Sequence, residues 1–328
     1  MNALEGQPVS RFSSAPVFSI MVPYTGDDAA FDSSLLSVLE NKPPACEVLV
    51  VHDGSYADPF ALGDEVRFVV AGGGSLPAMM LQAAAQAQGR ILQVVAGGHC
   101  ATKGWTEGIV SCFDQDEVGA VVPLTLTADR RKVCDFGWSQ TAAQLYQPIG
   151  IGQRDASDRD QARIAGGPLL STFWRMELLR AVSQLPHAND PIFASVLWTF
   201  VANSCGMHAV GNQDSRMLAH SLPTASSVSL ATTRRIQSLV TVVGDTADLG
   251  FRPLGFLAAS LYPSRWSELW GRLTATSGTR FLRSGLKERF PGAVEALRDS
   301  MAENRVRRTI PMEALSSAPT ISVGKRAA

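Results

Sequence analysis

The sequence predicts an α/β protein built on a mostly parallel central sheet, and three observations carry that prediction. First, short and largely apolar runs recur without strict polar alternation, as strands buried on both faces require. VFSIMVP (17–23), CEVLVVH (46–52), RFVV (67–70), RILQVV (90–95) and VGAVVPLTL (118–126) are such runs. Second, segments rich in helix formers separate them. Third, several runs end in glycine, proline or aspartate, which turn the chain at a strand end.

Each element has a local reason. Pro23 closes the first run, and Asp27 or Asp28 can cap a helix through Leu35, Leu36, Val38 and Leu39 that Pro43 and Pro44 stop. The second run passes into Asp53-Gly54-Ser55, a turn sequence. Leu76-Pro77-Ala78-Met79-Met80 opens a helix through residue 88, with Gly89 just past its end. Residues 127–165 are polar and turn-rich, as an excursion over the active face would be. A short strand and helix follow in 166–182, then a helix over 190–206 ending at Gly206 and a strand from His208. Beyond 225 the pattern turns helical. The reading divides the chain into a flexible leader (1–16), a sheet domain (17–225), a helical extension (226–310) and a flexible tail (311–328).

Composition narrows the class. The 328 residues are 45% hydrophobic and 18% charged, below the usual ~25% charged, so the chain can bury a large core. No uninterrupted apolar run is long enough to span a bilayer, and the N-terminus lacks the pattern of a signal peptide. Cys46, Cys100, Cys112, Cys134 and Cys205 form no C-x-x-C pair, which suits free thiols in a reducing cytoplasm. The net charge of −1 conceals −8 over residues 1–225 and +7 over 226–328. Those opposite fields either dock the two halves or meet an acidic partner surface.

Ligands of such sheets sit outside the C-terminal strand ends. Here these are Pro23-Tyr24, Asp53-Gly54-Ser55, Gly72 to Gly74 and Ala96 to His99. Gly72-Gly73-Gly74-Ser75-Leu76-Pro77 is no dinucleotide fingerprint, since the third glycine is Pro77, and no phosphate-binding G-x-x-x-x-G-K-[ST] loop occurs.

The order of elements resembles the family-2 glycosyltransferases, whose nucleotide-sugar-binding domain has the GT-A fold. FSIMVPYTGDDAAFDSSLLSVLENKPPACEVLVVHDGS is similar to that family's opening strand, turn, helix and Asp-Asp-Gly-Ser strand end. The resemblance continues through Gly73-Gly74, Gly89, Gly104-Trp105 and VGAVVPL to GGPLLSTFWRMELLRAV and CGMHAVGNQDSRMLAH, covering about residues 17–222. It implies transfer of a sugar from a nucleotide-diphosphate donor to a glycan acceptor. It also implies donor-binding roles for Pro23, Tyr24, Asp53, Gly54, Ser55, Gly73, Gly74, His99 and His220.

The positions that carry the family's chemistry are different here. Counting from Gly89, its metal-binding Asp-x-Asp falls on Ala96, Gly97 and Gly98. The arginine that faces the diphosphate is Met80, the first aspartate of Asp-Asp-Gly-Ser is His52, and the Glu-Asp general-base pair falls on Ala194 and Ser195. No divalent metal or other cofactor is therefore expected, and His99 with His220 offers a hard cation no carboxylate. Asp53 is either a nucleotide ligand or a turn cap. Asp190 is either a replacement base or a helix cap. Trp138, Tyr146, Arg154, Arg159 and Arg163 in the excursion suit sugar or phosphate contact or a solvated loop. Met79 and Met80 read as core filling.

In the C-terminal part Phe251, Leu254, Phe256, Leu257, Leu261, Trp266 and Trp270 alternate with Arg252, Arg265, Arg272, Arg280, Arg283, Lys287 and Arg289. Such helices pack on the sheet domain or lie on an anionic membrane surface. Nothing points to nucleic acid. Two functions remain open: a divergent sugar transferase, or a non-catalytic protein that binds a glycan, nucleotide or partner.

Overall fold

The computed structural model describes residues 16–141, 145–161, 163–186, 189–220, 228–243, 270–271, 274–275 and 279–309. Residues 1–15 of the leader, the tail, Phe251 to Trp266 and Arg272 lie outside the described residues.

One large sheet organises the chain. Its strands are β1 (Phe18–Pro23), β2 (Cys46–His52), β3 (Arg67–Val70), β4 (Ile91–Val94), β5 (His99–Ala101), β6 (Val118–Thr127), β7 (Val133–Asp135), β10 (Phe173–Arg175) and β11 (His208–Ala219). Their order is β3-β2-β1-β4-β10-β6-β11-β5, with β7 beside β6. The β1, β2, β3 and β4 pairings are parallel, as is β6 with β11. The three-residue strand β10 runs antiparallel between β4 and β6, and β5 runs antiparallel to β11. A separate ribbon joins β8 (Trp138–Ser139) to β9 (Gln147–Pro148).

The α-helices whose bounds lie among the described residues are α1 (Asp28–Glu40), α2 (Leu76–Gln86), α3 (Ile109–Phe113), α4 (Asp158–Gln161), α5 (Met176–Val182), α6 (Pro191–Ser204), α7 (Leu230–Val243) and α8 (Arg280–Thr309). On one sheet face Phe31, Leu35 and Val38 of α1 join Ile109 and Phe113 of α3 against Ile20, Val48 and Val50. On the other, α2, α5 and α6 cover Met21, Leu49, Leu92 and Val94. Ile236 and Leu239 of α7 and Leu286, Phe290, Ala293 and Leu297 of α8 belong to that same cluster. Met79 and Met80 lie within it and serve as core filling.

Gly89 shows how tightly β1 and β4 approach. A Cβ there would sit 2.6 Å from Ser19 Oγ and 2.7 Å from the backbone at Phe18 and Ser19. Its N–H donates to Ser19 Oγ instead, at 2.9 Å.

The excursion differs from the sequence reading. Trp138 is fully buried, its Nε1 donating to Ser195 Oγ at 2.9 Å, and Tyr146 packs against its ring at a centroid distance of 5.3 Å. Phe136 and Val133 bury a further small cluster with Leu124 and Leu126. The polar residues around these aromatics belong to turns, while the rings supply core; neither a solvated loop nor a sugar platform describes Trp138 and Tyr146.

The charge asymmetry is resolved in part by docking. Arg235 of α7 pairs with Asp190 at 3.4 Å and Arg305 of α8 with Asp116 at 3.0 Å. Arg298 donates to the Ser204 carbonyl at the end of α6.

Candidate functional site

The strand ends of β1 and β2 build the first half of the rim. Tyr24 follows Pro23, its N–H donating to the Val51 carbonyl, and its hydroxyl donates to Asp28 Oδ1 at 2.7 Å. That hydrogen bond raises the phenol above its ordinary range. The ring meets Phe31 and Tyr56 at 5.3 and 5.0 Å, and Tyr56 in turn meets His52 and Phe68. The rim thus has an aromatic backing that fixes Tyr24.

His52 is buried, and its Nδ1 accepts from the Gly54 N–H at 3.1 Å, which places the ring proton on Nε2. It shapes the turn from below. Gly54 has φ +99°, which favours glycine. Asp53 Oδ1 accepts from the Ser55 N–H and hydroxyl, and these bonds hold its carboxylate below the usual range. Oδ2 has no hydrogen-bond partner among the described residues: it lies 3.5 Å from where a Cβ on Gly74 would sit, so the Gly73-Gly74 turn comes close to the carboxylate. Pro23, Tyr24, Asp53, Gly54, Ser55, Gly73 and Gly74 therefore share one edge of the sheet, with Asp53 both capping its turn and presenting an oxygen outward.

The second half lies after β4. Ala96 is buried and its carbonyl accepts from His99 N–H and Ser34 Oγ. A Cβ on Gly97 would meet Ala30 of α1 at 3.5 Å, and Gly98 has φ +85°. The Gly98 carbonyl accepts from the His220 N–H at 3.0 Å, which fastens the end of β11 to this loop. His99 and His220 are thereby brought to the same place. The His99 Nδ1 is buried without a partner among the described residues. Burial pushes its imidazole down to about 4, and the neighbouring His220 adds to that effect. The exposed His220 Nε2 lies 3.0 Å from Ser33 Oγ and 3.6 Å from Cys100 Sγ.

These donors do not fit a hard divalent cation. Residues 96–98 offer only backbone carbonyls, two of them already accepting hydrogen bonds, beside imidazoles and a thiol where oxygen anions are needed. Among the described residues no group of three or more His, Cys, Asp or Glu is arranged to hold a metal.

Asp190 stands elsewhere, at the N-terminus of α6. Oδ1 accepts from the Ile192 and Phe193 N–H groups, both at 3.1 Å, and Oδ2 accepts from Thr232 and faces Arg235. Ala194 is buried, and Ser195 Oγ donates to the Gly167 carbonyl at 2.6 Å while accepting from Trp138. Nearby, burial raises Asp135 to about 7, against hydrogen bonds from the Gly137 and Phe136 N–H groups. Burial also raises the Tyr146 phenol, with the charges of Asp135 and Asp190 adding to it.

Arg154 and Arg163 are exposed, and neither guanidinium has an ion pair or hydrogen bond among the described residues. Sequence reasoning missed Ser33 and Cys100. They reach His220 from α1 and from β5, across 187 and 120 positions of sequence, so no local motif announces them.

No family model and no curated protein matches the sequence. Solved structures do. GalNAc-T7 with UDP, GalNAc and Mn2+ superposes with a TM-score of 0.54 at 12% identity, over 89% of this chain and 58% of that one. Residues 1–349 of TarS from S. aureus, in complex with UDP, give 0.50 at 15% identity, over 88% and 91%. At such identities the likeness establishes the fold: the chain has a GT-A-like fold with a mostly parallel central sheet.

Proposed function

We propose that this chain binds a nucleotide-diphosphate sugar at the Tyr24–Asp53–Gly74 rim without a divalent metal, and that it serves as a non-catalytic binding member of the glycosyltransferase superfamily. One observation carries the reading. The rim that would meet the nucleoside is fully built, whereas each position that would supply the chemistry is committed to packing. Ala96 to Gly98 are packed on α1, Met80 lies in the core, and Ser195 and Asp190 have their side-chain oxygens engaged by structural partners. A buried, hydrogen-bonded serine has no neighbouring base to make it deprotonate an acceptor. An uncompensated diphosphate would also leave poorly, since transition-state charge needs prearranged counter-charge.

Titration with UDP, GDP and their sugars, in EDTA and in manganese, tests the proposal. Binding of equal strength in both, lost in Asp53→Ala, is expected. Binding that requires manganese, or transfer abolished by chelators, would overturn it.

A second reading is favoured by the exposed guanidinium groups of Arg154 and Arg163, which have no ion pair or hydrogen bond among the described residues: metal-independent transfer in which arginines neutralise the diphosphate. It predicts turnover in EDTA that is lost in Arg154→Ala or Arg163→Ala. A glycan acceptor belongs to this second reading. Both readings keep the protein in the cytoplasm, with the exposed basic side chains of α8, Lys287 and Arg289 among them, available to an anionic lipid surface. Among the described residues no helix is long and apolar enough to cross a membrane.

A further inference from the structure

Three side chains from three elements converge at the end of β11 in a way the nucleotide reading does not use. Ser33 Oγ of α1, Cys100 Sγ of β5 and His220 Nε2 form a triangle with edges of 3.0, 3.3 and 3.6 Å. We propose that Cys100 is a modification site for small soft electrophiles, with His220 as the base that takes its proton and Ser33 as the hydroxyl that positions the pair.

The chemistry needs a nucleophilic sulfur and a base in direct contact, with access for the electrophile. Cys100 is half-buried and His220 exposed, so the triangle opens to solvent. The Gly98–His220 backbone hydrogen bond holds the imidazole in place, and the β5–β11 pairing sets Cys100 opposite Leu218, two residues before it. With iodoacetamide, Sγ attacks the methylene carbon, the S–C bond forms, the C–I bond breaks with departure of iodide, and the thiol proton passes to Nε2. With hydrogen peroxide, sulfur takes one oxygen and is oxidised by two electrons to the sulfenic acid. The O–O bond breaks, and the leaving hydroxide collects the proton from His220 as water.

The other cysteines are internal controls. None of the five is in a disulfide. Burial raises the thiols of Cys46, Cys205 and Cys134, the last to about 11. Cys112 is half-buried like Cys100, but its polar neighbour is the Asn212 amide at 3.8 Å, which is no base. The inference stands independently of the proposed nucleotide binding.

The full chain is labelled with iodoacetamide at pH 7 under native conditions, and each cysteine peptide is quantified with time by mass spectrometry. Cys100 should label about tenfold faster than Cys112, a modest gain for a positioned base. His220→Gln should remove about that factor from Cys100 alone. If His220 merely shields the sulfur, the same substitution leaves Cys100 labelling unchanged or faster. Either of those results, or wild-type Cys100 labelling no faster than Cys112, would overturn the proposal; the wild-type ranking requires no variant to fold. Peroxide treatment followed by dimedone should place the sulfenic adduct on Cys100, and an adduct chiefly on another cysteine would refute it.

Discussion

Replacing Asp190 separates a structural carboxylate from a catalytic one. Its Oδ1 caps α6 through two N–H groups, and substitution of such a cap by alanine costs about 1 kcal/mol. Oδ2 accepts from Thr232, a bond of about 1 kcal/mol, and pairs with a half-exposed Arg235 at 3.4 Å, a contact of at most ~0.5 kcal/mol. Asp190→Ala should therefore destabilise the protein by about 2–3 kcal/mol. Asp190→Asn retains a good cap and loses mainly the charge, so it should cost less than about 1 kcal/mol. Thermal melting followed by circular dichroism gives the ordering, and nucleotide titration on the same samples gives the functional readout. If Asp190 is structural, alanine lowers the melting temperature far more than asparagine, and the folded fraction of both binds nucleotide normally. Wild-type melting of both variants, together with loss of a sugar-transfer activity, would refute the structural assignment and mark Asp190 as a base.

Other outcomes follow from the same geometry. Gly89→Ala drives a Cβ against Ser19 and the β1 backbone, so a loss of about 1–3 kcal/mol is expected in denaturant unfolding; near-neutrality would mean that the β1–β4 contact is loose. Ser195→Ala leaves the buried Trp138 Nε1–H and the Gly167 carbonyl without their partner, at a cost of about 1–3 kcal/mol with no change in nucleotide affinity. Two partly buried groups give opposite pH dependences. The depressed His99 contributes stability that is present above about 6.5 and is lost as pH falls toward about 4. The raised Asp135 favours the fold below about 3.8 and loses that contribution as pH rises toward about 7. Melting temperature against pH between 4 and 7 should therefore slope downward more steeply with rising pH in His99→Gln and upward more steeply in Asp135→Asn; slopes of the opposite signs would contradict the assignments.

Much of the fold was legible because it is written locally. Pro23, Pro43, Asp53-Gly54-Ser55, Gly89 and Gly206 mark where elements stop, and the short apolar runs at 17–23, 46–52 and 90–95 have the length and content of strands in a covered sheet. The rim was legible for the same reason, since strand ends place Tyr24, Asp53 and Gly74 together whatever the remainder does. Three features were hidden by their physics. The strand β10 is only three residues long, and its antiparallel insertion between β4 and β6 depends on pairing partners far away in sequence. Trp138 lies among polar turn residues, yet its ring is consumed by a core that those turns merely connect. The Ser33–Cys100–His220 convergence arises from topology, where β5 meets β11 and α1 packs on β5; no spacing along the chain encodes it.

Helix α8 supplies apolar residues to the cluster that α5 and α6 begin, and this bears on how the molecule is made. A ribosome adding ~5–20 residues per second needs roughly 5–20 s to pass the roughly ninety positions between Ser204 and Leu297. During that interval the emerging α5–α6 surface has no C-terminal helix to cover it. Newly synthesised chains halted there would be natural clients for a holdase.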